Sequence, residues 1–220
     1  MSVRFNDRTV CIGSTGSGKS ELLNVQFSAL RCQRVLYDSK DEFAIDGVTP
    51  VHDVDAIDWR QRTIHFVPGD DVLGAARDLF AALNRRSNVV VAVHELSDLC
   101  EYRPNATPPS VHRYFRQGRA HGRGLLGGSQ RPVQMPTSAA TEADHVFIFV
   151  PRLAPRDHDA VAEMIGMASR ELAETIDRLH EQGGEHTYLH WDRRARTLKA
   201  FEPLPERIRK RSIVKRRADA

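Results

Sequence analysis

Cysteine is scarce among these 220 residues: Cys11, Cys32 and Cys100 cannot all pair, and no two of them stand in a CxxC spacing. This excludes a disulfide scaffold and a structural zinc module, and it fits a reducing compartment. Long apolar runs are missing as well. No stretch approaches the roughly 18 to 20 apolar residues that span a bilayer. The opening Met1-Ser2-Val3-Arg4-Phe5-Asn6-Asp7 lacks the basic-then-apolar profile of a secretory signal. The chain is therefore expected to be neither secreted nor an integral membrane protein. It carries no internal repeat.

What is present is enough for a core. Hydrophobic residues make up 40% and charged residues 28% of the chain, which suits one compact domain with a small appendage. The net charge of +3 conceals an asymmetry. The last fifteen residues hold Arg207, Arg209, Lys210, Arg211, Lys215, Arg216 and Arg217 against Glu206 and Asp219, a local charge of +5 that leaves the rest at −2. Residues 1–205 read as the folded domain and 206–220 as a basic C-terminal tail, an electrostatic footprint for a polyanion.

The hydrophobic pattern alternates short β-branched runs with helical stretches, the mark of an α/β protein with a central, mostly parallel sheet flanked by helices. Strands are expected over 9–12, 34–38, 63–67, 89–93, 125–130 and 146–150. Helices are expected over about 19–31, from the Asp70-Asp71 cap to Arg86, and over 110–121, 156–165 and 169–182. Val89-Val90-Val91-Ala92-Val93 has almost no polar alternation and should lie centrally with both faces covered. Segments 187–191 and 197–201 flank Asp192-Arg193-Arg194-Ala195-Arg196 and read as a β-hairpin.

The chemistry begins at Gly13-Ser14-Thr15-Gly16-Ser17-Gly18-Lys19-Ser20, which matches GxxxxGK[ST] letter for letter. Glycines let the backbone turn with its N–H groups inward to hold phosphate oxygens. The following helix presents its positive N-terminal end to the same anion. Lys19 would reach the β- and γ-phosphates, and the Ser20 hydroxyl would ligate magnesium. An apolar strand before the motif and an amphipathic helix after it are the context a phosphate loop requires, so ATP with Mg2+ is the expected ligand.

A nucleotide-hydrolysing site also needs a group to polarise the attacking water, at the carboxyl end of a neighbouring strand. Val89–Val93 runs into His94-Glu95, and Glu95 is the candidate. The usual motif carries an acidic residue just before this glutamate to support the metal; His94 stands there, so a water, Asp98 or Asp38 would take that place. The third element is Gly127-Gly128-Ser129-Gln130-Arg131-Pro132. A glutamine ending a strand and stopped by proline suits a sensor that hydrogen-bonds the γ-phosphate or the water, which makes Gln130 a catalytic candidate.

Together, the phosphate loop, Val35 to Phe43, the strand ending at Glu95, and Arg116-Gln117-Gly118-Arg119 leading to Ser129-Gln130-Arg131-Pro132 resemble the FtsK/HerA superfamily of DNA-pumping ATPases. The match covers roughly residues 9–150. A chain this short looks most like the genome-packaging ATPases of tailless, internal-membrane viruses and phages. The resemblance implies a RecA-like P-loop core assembled into a ring, usually a hexamer, around double-stranded DNA. It also implies an arginine supplied in trans to the neighbour's γ-phosphate; Arg119 is favoured here over Arg116 and Arg123, with Arg113 nearby. Asp38 and Lys40 match the polar ending of the second strand. The basic tail would contact DNA or dock on an acidic partner at a capsid portal or membrane. The implied setting is the host cytoplasm during assembly, with association at the packaging vertex of the virion. Rival readings are a conjugative or mobile-element translocase on the same core and, in another class, a small-molecule kinase. His94 also leaves open a nucleotide-gated binding module without hydrolysis.

Overall fold

Val89 to Val93 forms strand β5, whose side chains divide between two cores. Val89, Val91 and Val93 join one buried cluster, while Val90 and Ala92 join another. Period-two alternation sends successive side chains to opposite faces, so a run of five apolar residues demands cover on both. The computed structural model describes residues 3–149, 153–183, 186–205 and 213–215.

Around β5 the strands are β1 (Arg8–Ile12), β2 (Gln33–Tyr37), β4 (Thr63–Phe66), β6 (Arg123–Ser129), β7 (His145–Phe149), β8 (Tyr188–Asp192) and β9 (Thr197–Phe201). They order as β4-β2-β5-β6-β1-β7-β8-β9, parallel from β4 through β7, with β8 and β9 antiparallel at one edge. Two short strands, β3 (Phe43–Ile45) and β10 (Ile213–Lys215), form a separate antiparallel pair. The helices are α1 (Lys19–Ala29), α2 (Val72–Leu83), α3 (Pro109–Gln117), α4 (Thr137–Thr141), α5 (Pro155–Ile165) and α6 (Ser169–Gly183). α1 covers the face that carries Val90 with Leu22, Leu23 and Phe27; the remaining long helices cover the other face. Phe80 of α2 meets Tyr114 and Phe115 of α3 edge-on, with ring centroids 5.2 and 5.8 Å apart. This geometry is worth about 0.5–1.5 kcal/mol per pair beyond burial.

In parallel βα units the helices run back, so their N-termini share the carboxyl edge of the sheet and their C-termini the opposite edge. Arginines occupy that second edge. Arg34 donates to the Phe27 and Ser28 carbonyls at 2.7 and 2.9 Å, closing the end of α1. Arg123 donates to the Asn84 and Arg86 carbonyls at 2.6 and 2.7 Å, closing the end of α2. Both satisfy carbonyls that a helix end leaves open, and they place positive charge at the negative pole. At the other end of α2, Asp71 accepts from the Gly74 N–H at 2.8 Å, the cap expected from the acidic pair.

The central position of β5, the parallel sheet and the hairpin agree with the sequence reading. The expected helix over 110–121 is α-helical to Gln117 only and continues as a 3-10 turn over Gly118–His121. Strands β3 and β10 were not expected. Of the tail residues, only Ile213–Lys215 fall among those described; Arg207, Arg209, Lys210, Arg211, Arg216 and Arg217 lie outside the described residues, as does Val150.

Candidate functional site

The carboxyl ends of β1, β2, β5 and β6 surround a cleft of about 520 Å³. β1 lies between β6 and β7 and leads directly into the glycine loop, whose entry is fixed by a hydrogen bond from the Gly13 N–H to the Ser129 carbonyl at 3.2 Å. A Cβ at Gly13 would stand 2.8 Å from both Phe149 Cβ and Ser17 Oγ. Only a residue without a side chain lets the loop close so tightly over the neighbouring strand. Gly18, with φ of 103°, occupies the left-handed region at the N-cap of α1.

Lys19 opens α1 and is 6% exposed, with its ammonium donating to the Ser14 carbonyl at 3.0 Å. Burial lowers its pKa, and the negative charge of Glu95 works against that shift. A cation half stripped of water at a helix N-terminus is a receptor for a polyanion. Ser17 adds a second sign: its hydroxyl is buried with no hydrogen-bond partner among the described residues. Buried polar groups are ordinarily paired, so a ligand that accepts or donates here fits the loop. Ser20, Asp38 and Glu95 line the cleft with hard oxygen donors, the kind that suits Mg2+.

Glu95 follows β5 in extended conformation and accepts from the Ser97 hydroxyl at 3.0 Å. Burial raises its pKa above 4.5; the Ser97 hydrogen bond opposes this, Asp98 adds to it, and Lys19 and Lys40 oppose it. A carboxylate held above its ordinary range at a cleft wall is suited to taking a proton. Gln130 faces it from the end of β6, where its Oε1 accepts from the Thr15 hydroxyl at 3.1 Å. The structure thus brings Lys19, Glu95 and Gln130 to the walls of one cleft.

His94 also lines this cleft and stacks on Phe43, with ring centroids 3.9 Å apart and planes 20° from parallel. The position where an acid was expected is part of an aromatic wall. Asp38, at the end of β2, accepts from the Glu42 and Phe43 N–H groups at 3.1 and 2.9 Å and meets His65 Nε2 at 3.1 Å. Burial acts to raise its pKa, yet these hydrogen bonds win and lower it. Its carboxylate shapes the loop that carries Phe43. Asp98, 7% exposed, accepts from the Ser39 hydroxyl and links the turn after Glu95 to the same loop. Neither His65 nor Ser39 was singled out in the sequence, because their partners are 27 and 59 residues away.

Arg119 lies elsewhere. It precedes β6, at the start of the parallel strands, and forms an ion pair with buried Asp144. The five residues of β1 separate that edge from the glycine loop, a span of roughly 16 Å. Arg119 therefore cannot serve the phosphate loop of its own chain. Arg113 and Arg116 are exposed on α3, whereas Arg123 is 6% exposed and occupied by the end of α2.

No protein-family model and no curated protein sequence matches the chain. Solved structures do. The genome packaging NTPase B204 from Sulfolobus turreted icosahedral virus 2, in complex with AMPPCP, aligns over 92% of this chain and 100% of its own at 19% identity and a TM-score of 0.73. The N-terminal domain of zonular occludens toxin from Neisseria meningitidis aligns over 92% of this chain and 96% of its own at 13% identity and a TM-score of 0.52. The cytoplasmic domain of the Thermomonospora curvata type VII secretion ATPase EccC aligns over 91% of this chain and 25% of its own, at 15% identity and a TM-score of 0.53. The likeness is one of fold: the mostly parallel sheet flanked by helices is the architecture these NTPase and ATPase structures share with this chain.

Proposed function

We propose that this protein hydrolyses ATP, with Mg2+, and couples the reaction to movement of double-stranded DNA as a viral genome-packaging motor. The observation that carries this reading is the convergence of Lys19, Glu95 and Gln130 on one cleft, with Gln130 already hydrogen-bonded to the phosphate loop. The fold it shares with a genome packaging NTPase captured with AMPPCP supports it.

The chemistry assigns one task to each group. The glycine-loop N–H groups and Lys19 bind and neutralise the polyphosphate. Ser20 would hold Mg2+, which neutralises charge on the β- and γ-phosphates when bound. Glu95 orients a water and takes its proton, and Gln130 reads whether the terminal phosphate is in place. Arg119 is the group a neighbour would receive, in a ring of about six subunits as the superfamily pattern implies. Such a trans arginine contributes about 10³ to 10⁵ in rate where it has been dissected. Contacts to the duplex would be phosphate-directed, since a packaging motor must travel over any sequence. Arg207, Arg209, Lys210, Arg211, Lys215, Arg216 and Arg217 are the proposed contacts to DNA or to an acidic partner at a capsid vertex. Among the described residues no helix is long and apolar enough to cross a membrane. A host-cytoplasmic step that ends at the packaging vertex belongs to the same reading.

The deciding experiment measures ATP turnover with and without double-stranded DNA alongside the mass of the assembly. Duplex-stimulated turnover by a ring is expected. Turnover that ignores DNA and requires a small phosphate acceptor would identify a kinase instead.

A further inference from the structure

The strand β3 stands outside the main sheet. Its strand partner is β10, in the register Phe43 opposite Lys215, Ala44 opposite Val214 and Ile45 opposite Ile213. A two-stranded ladder of three residues is not stable by its hydrogen bonds alone. Packing must hold it: Ile213 is 2% exposed and shares a buried cluster with Phe43, Ile45, Leu22, Leu23 and Phe27. The segment read from sequence as part of a basic tail thus sends one apolar side chain under the wall of the nucleotide cleft.

We propose that β10 is a positioning element of the nucleotide site: Ile213 holds Phe43 against His94, and this aromatic pair fixes where Glu95 presents its carboxylate. Phe43 is held from two sides, by its N–H bond to Asp38 at 2.9 Å and by the ladder to β10. Its ring lies flat on His94, 3.9 Å away between centroids. At its backbone His94 lies close against β6, with its carbonyl oxygen 2.4 Å from where a Cβ at Gly128 would stand. The residue immediately before Glu95 is therefore gripped at its ring by Phe43 and along its backbone by β6. Misplacing a catalytic group by 1 Å costs on the order of 10²-fold in rate, so losing either grip is felt at Glu95. Phe43 and Ile213 act through His94 and do not themselves touch the reacting atoms.

This inference rests on the hydrolysis reading above, and its test separates the two. Phe43→Leu, Phe43→Tyr and Ile213→Ala are made in the full chain. Three quantities are measured: kcat with KM, affinity for a non-hydrolysable ATP analogue, and the NMR shifts of the His94 ring protons, which a stacked phenyl ring moves upfield. Phe43→Leu and Ile213→Ala are expected to lower kcat about tenfold while analogue affinity stays within about threefold. Both should move the His94 resonances downfield. Phe43→Tyr keeps a ring in place and should stay within about twofold of the unaltered protein in kcat. The proposal is overturned by unchanged kcat in Phe43→Leu, by equal losses in Phe43→Leu and Phe43→Tyr, or by His94 resonances that ignore Ile213→Ala. Ile213→Val, a smaller truncation, replaces Ile213→Ala if that variant does not fold. Absence of turnover in the unaltered protein would remove the hydrolysis reading, and the His94 resonances alone would then decide whether β10 sets the aromatic pair.

Discussion

The hydroxyl of Thr15 in the glycine loop donates to Oε1 of Gln130 at 3.1 Å, so the phosphate loop and the strand beyond it are joined through side chains. Under the proposed function, this pairing would hold Gln130 ready to meet a terminal phosphate. Gln130→Ala is expected to lower kcat about tenfold or more while leaving analogue binding within about threefold. Thr15→Val, which keeps the shape and loses the donor, should cost about threefold. Steady-state kinetics beside a binding titration read both, and equal losses in kcat and affinity would assign Gln130 to binding rather than chemistry.

Glu95 is expected to be required for turnover and dispensable for binding. Glu95→Gln should retain the nucleotide and reduce hydrolysis by about 10² or more. The base works deprotonated, and burial raises its pKa above 4.5. Turnover should therefore fall as the pH drops through a value higher than an ordinary glutamate's. Ser97→Ala removes a hydrogen bond that lowers this pKa, so the acid limb of kcat should move higher still. A limb that stays put would detach Ser97 from the base.

Lys19→Ala removes the buried cation of the loop. Analogue affinity should drop about tenfold or more, and turnover should disappear. Hydrolysis that survives this change would contradict the placement of the phosphates.

Arg119 and Asp144 form an ion pair at the far edge of the sheet, with Arg8 3.7 Å from the same carboxylate. Because Arg8 remains, Arg119→Ala should fold and lose only about 1 kcal/mol of stability in a denaturant titration. Neither Arg119→Ala nor Glu95→Gln subunits should turn over alone. Rings mixed from the two should recover activity, because some interfaces then combine an intact Arg119 with an intact Glu95. Confirmed mixed rings without recovery would point to Arg113 or Arg116.

His190 predicts a stability profile. Its Nε2 meets His145 Nδ1 at 3.1 Å, and its ring stacks on Phe147 at 4.4 Å. Burial first, then the neighbouring His145, lowers its pKa from 6.5 to about 4. Above pH 6.5 neither the folded nor the unfolded chain carries this proton; between 6.5 and 4 the unfolded chain accepts it while the folded one refuses. Folding free energy is therefore lost as the pH falls through that window. Thermal midpoints measured across the same range should decline less steeply in His190→Phe than in the unaltered protein.

Where the chemistry is local, the sequence is legible. The phosphate loop, the uninterrupted Val89–Val93 run and the glutamine before proline announce themselves within a few residues, because backbone turns and two-sided burial leave local patterns. The polar groups that arrange the site do not. Asp38 with His65 and Ser39 with Asp98 pair residues 27 and 59 positions apart. β10 was hidden by its surroundings: Ile213-Val214 is a minimal apolar signal inside a stretch dominated by arginine and lysine. The role of His94 was unreadable for a similar reason, since the ring it stacks on lies on another strand.

The paired glycines of β6 have a mechanical corollary. A Cβ at Gly127 would stand 2.7 Å from the Leu96 side chain, and one at Gly128 would strike the His94 carbonyl. The turn that bears Glu95 and the strand that ends in Gln130 are thus seated flush, like two plates bolted face to face. Glu95 and Gln130 are therefore expected to keep their spacing as the cleft fills and empties, so that the water-handling groups travel as one piece.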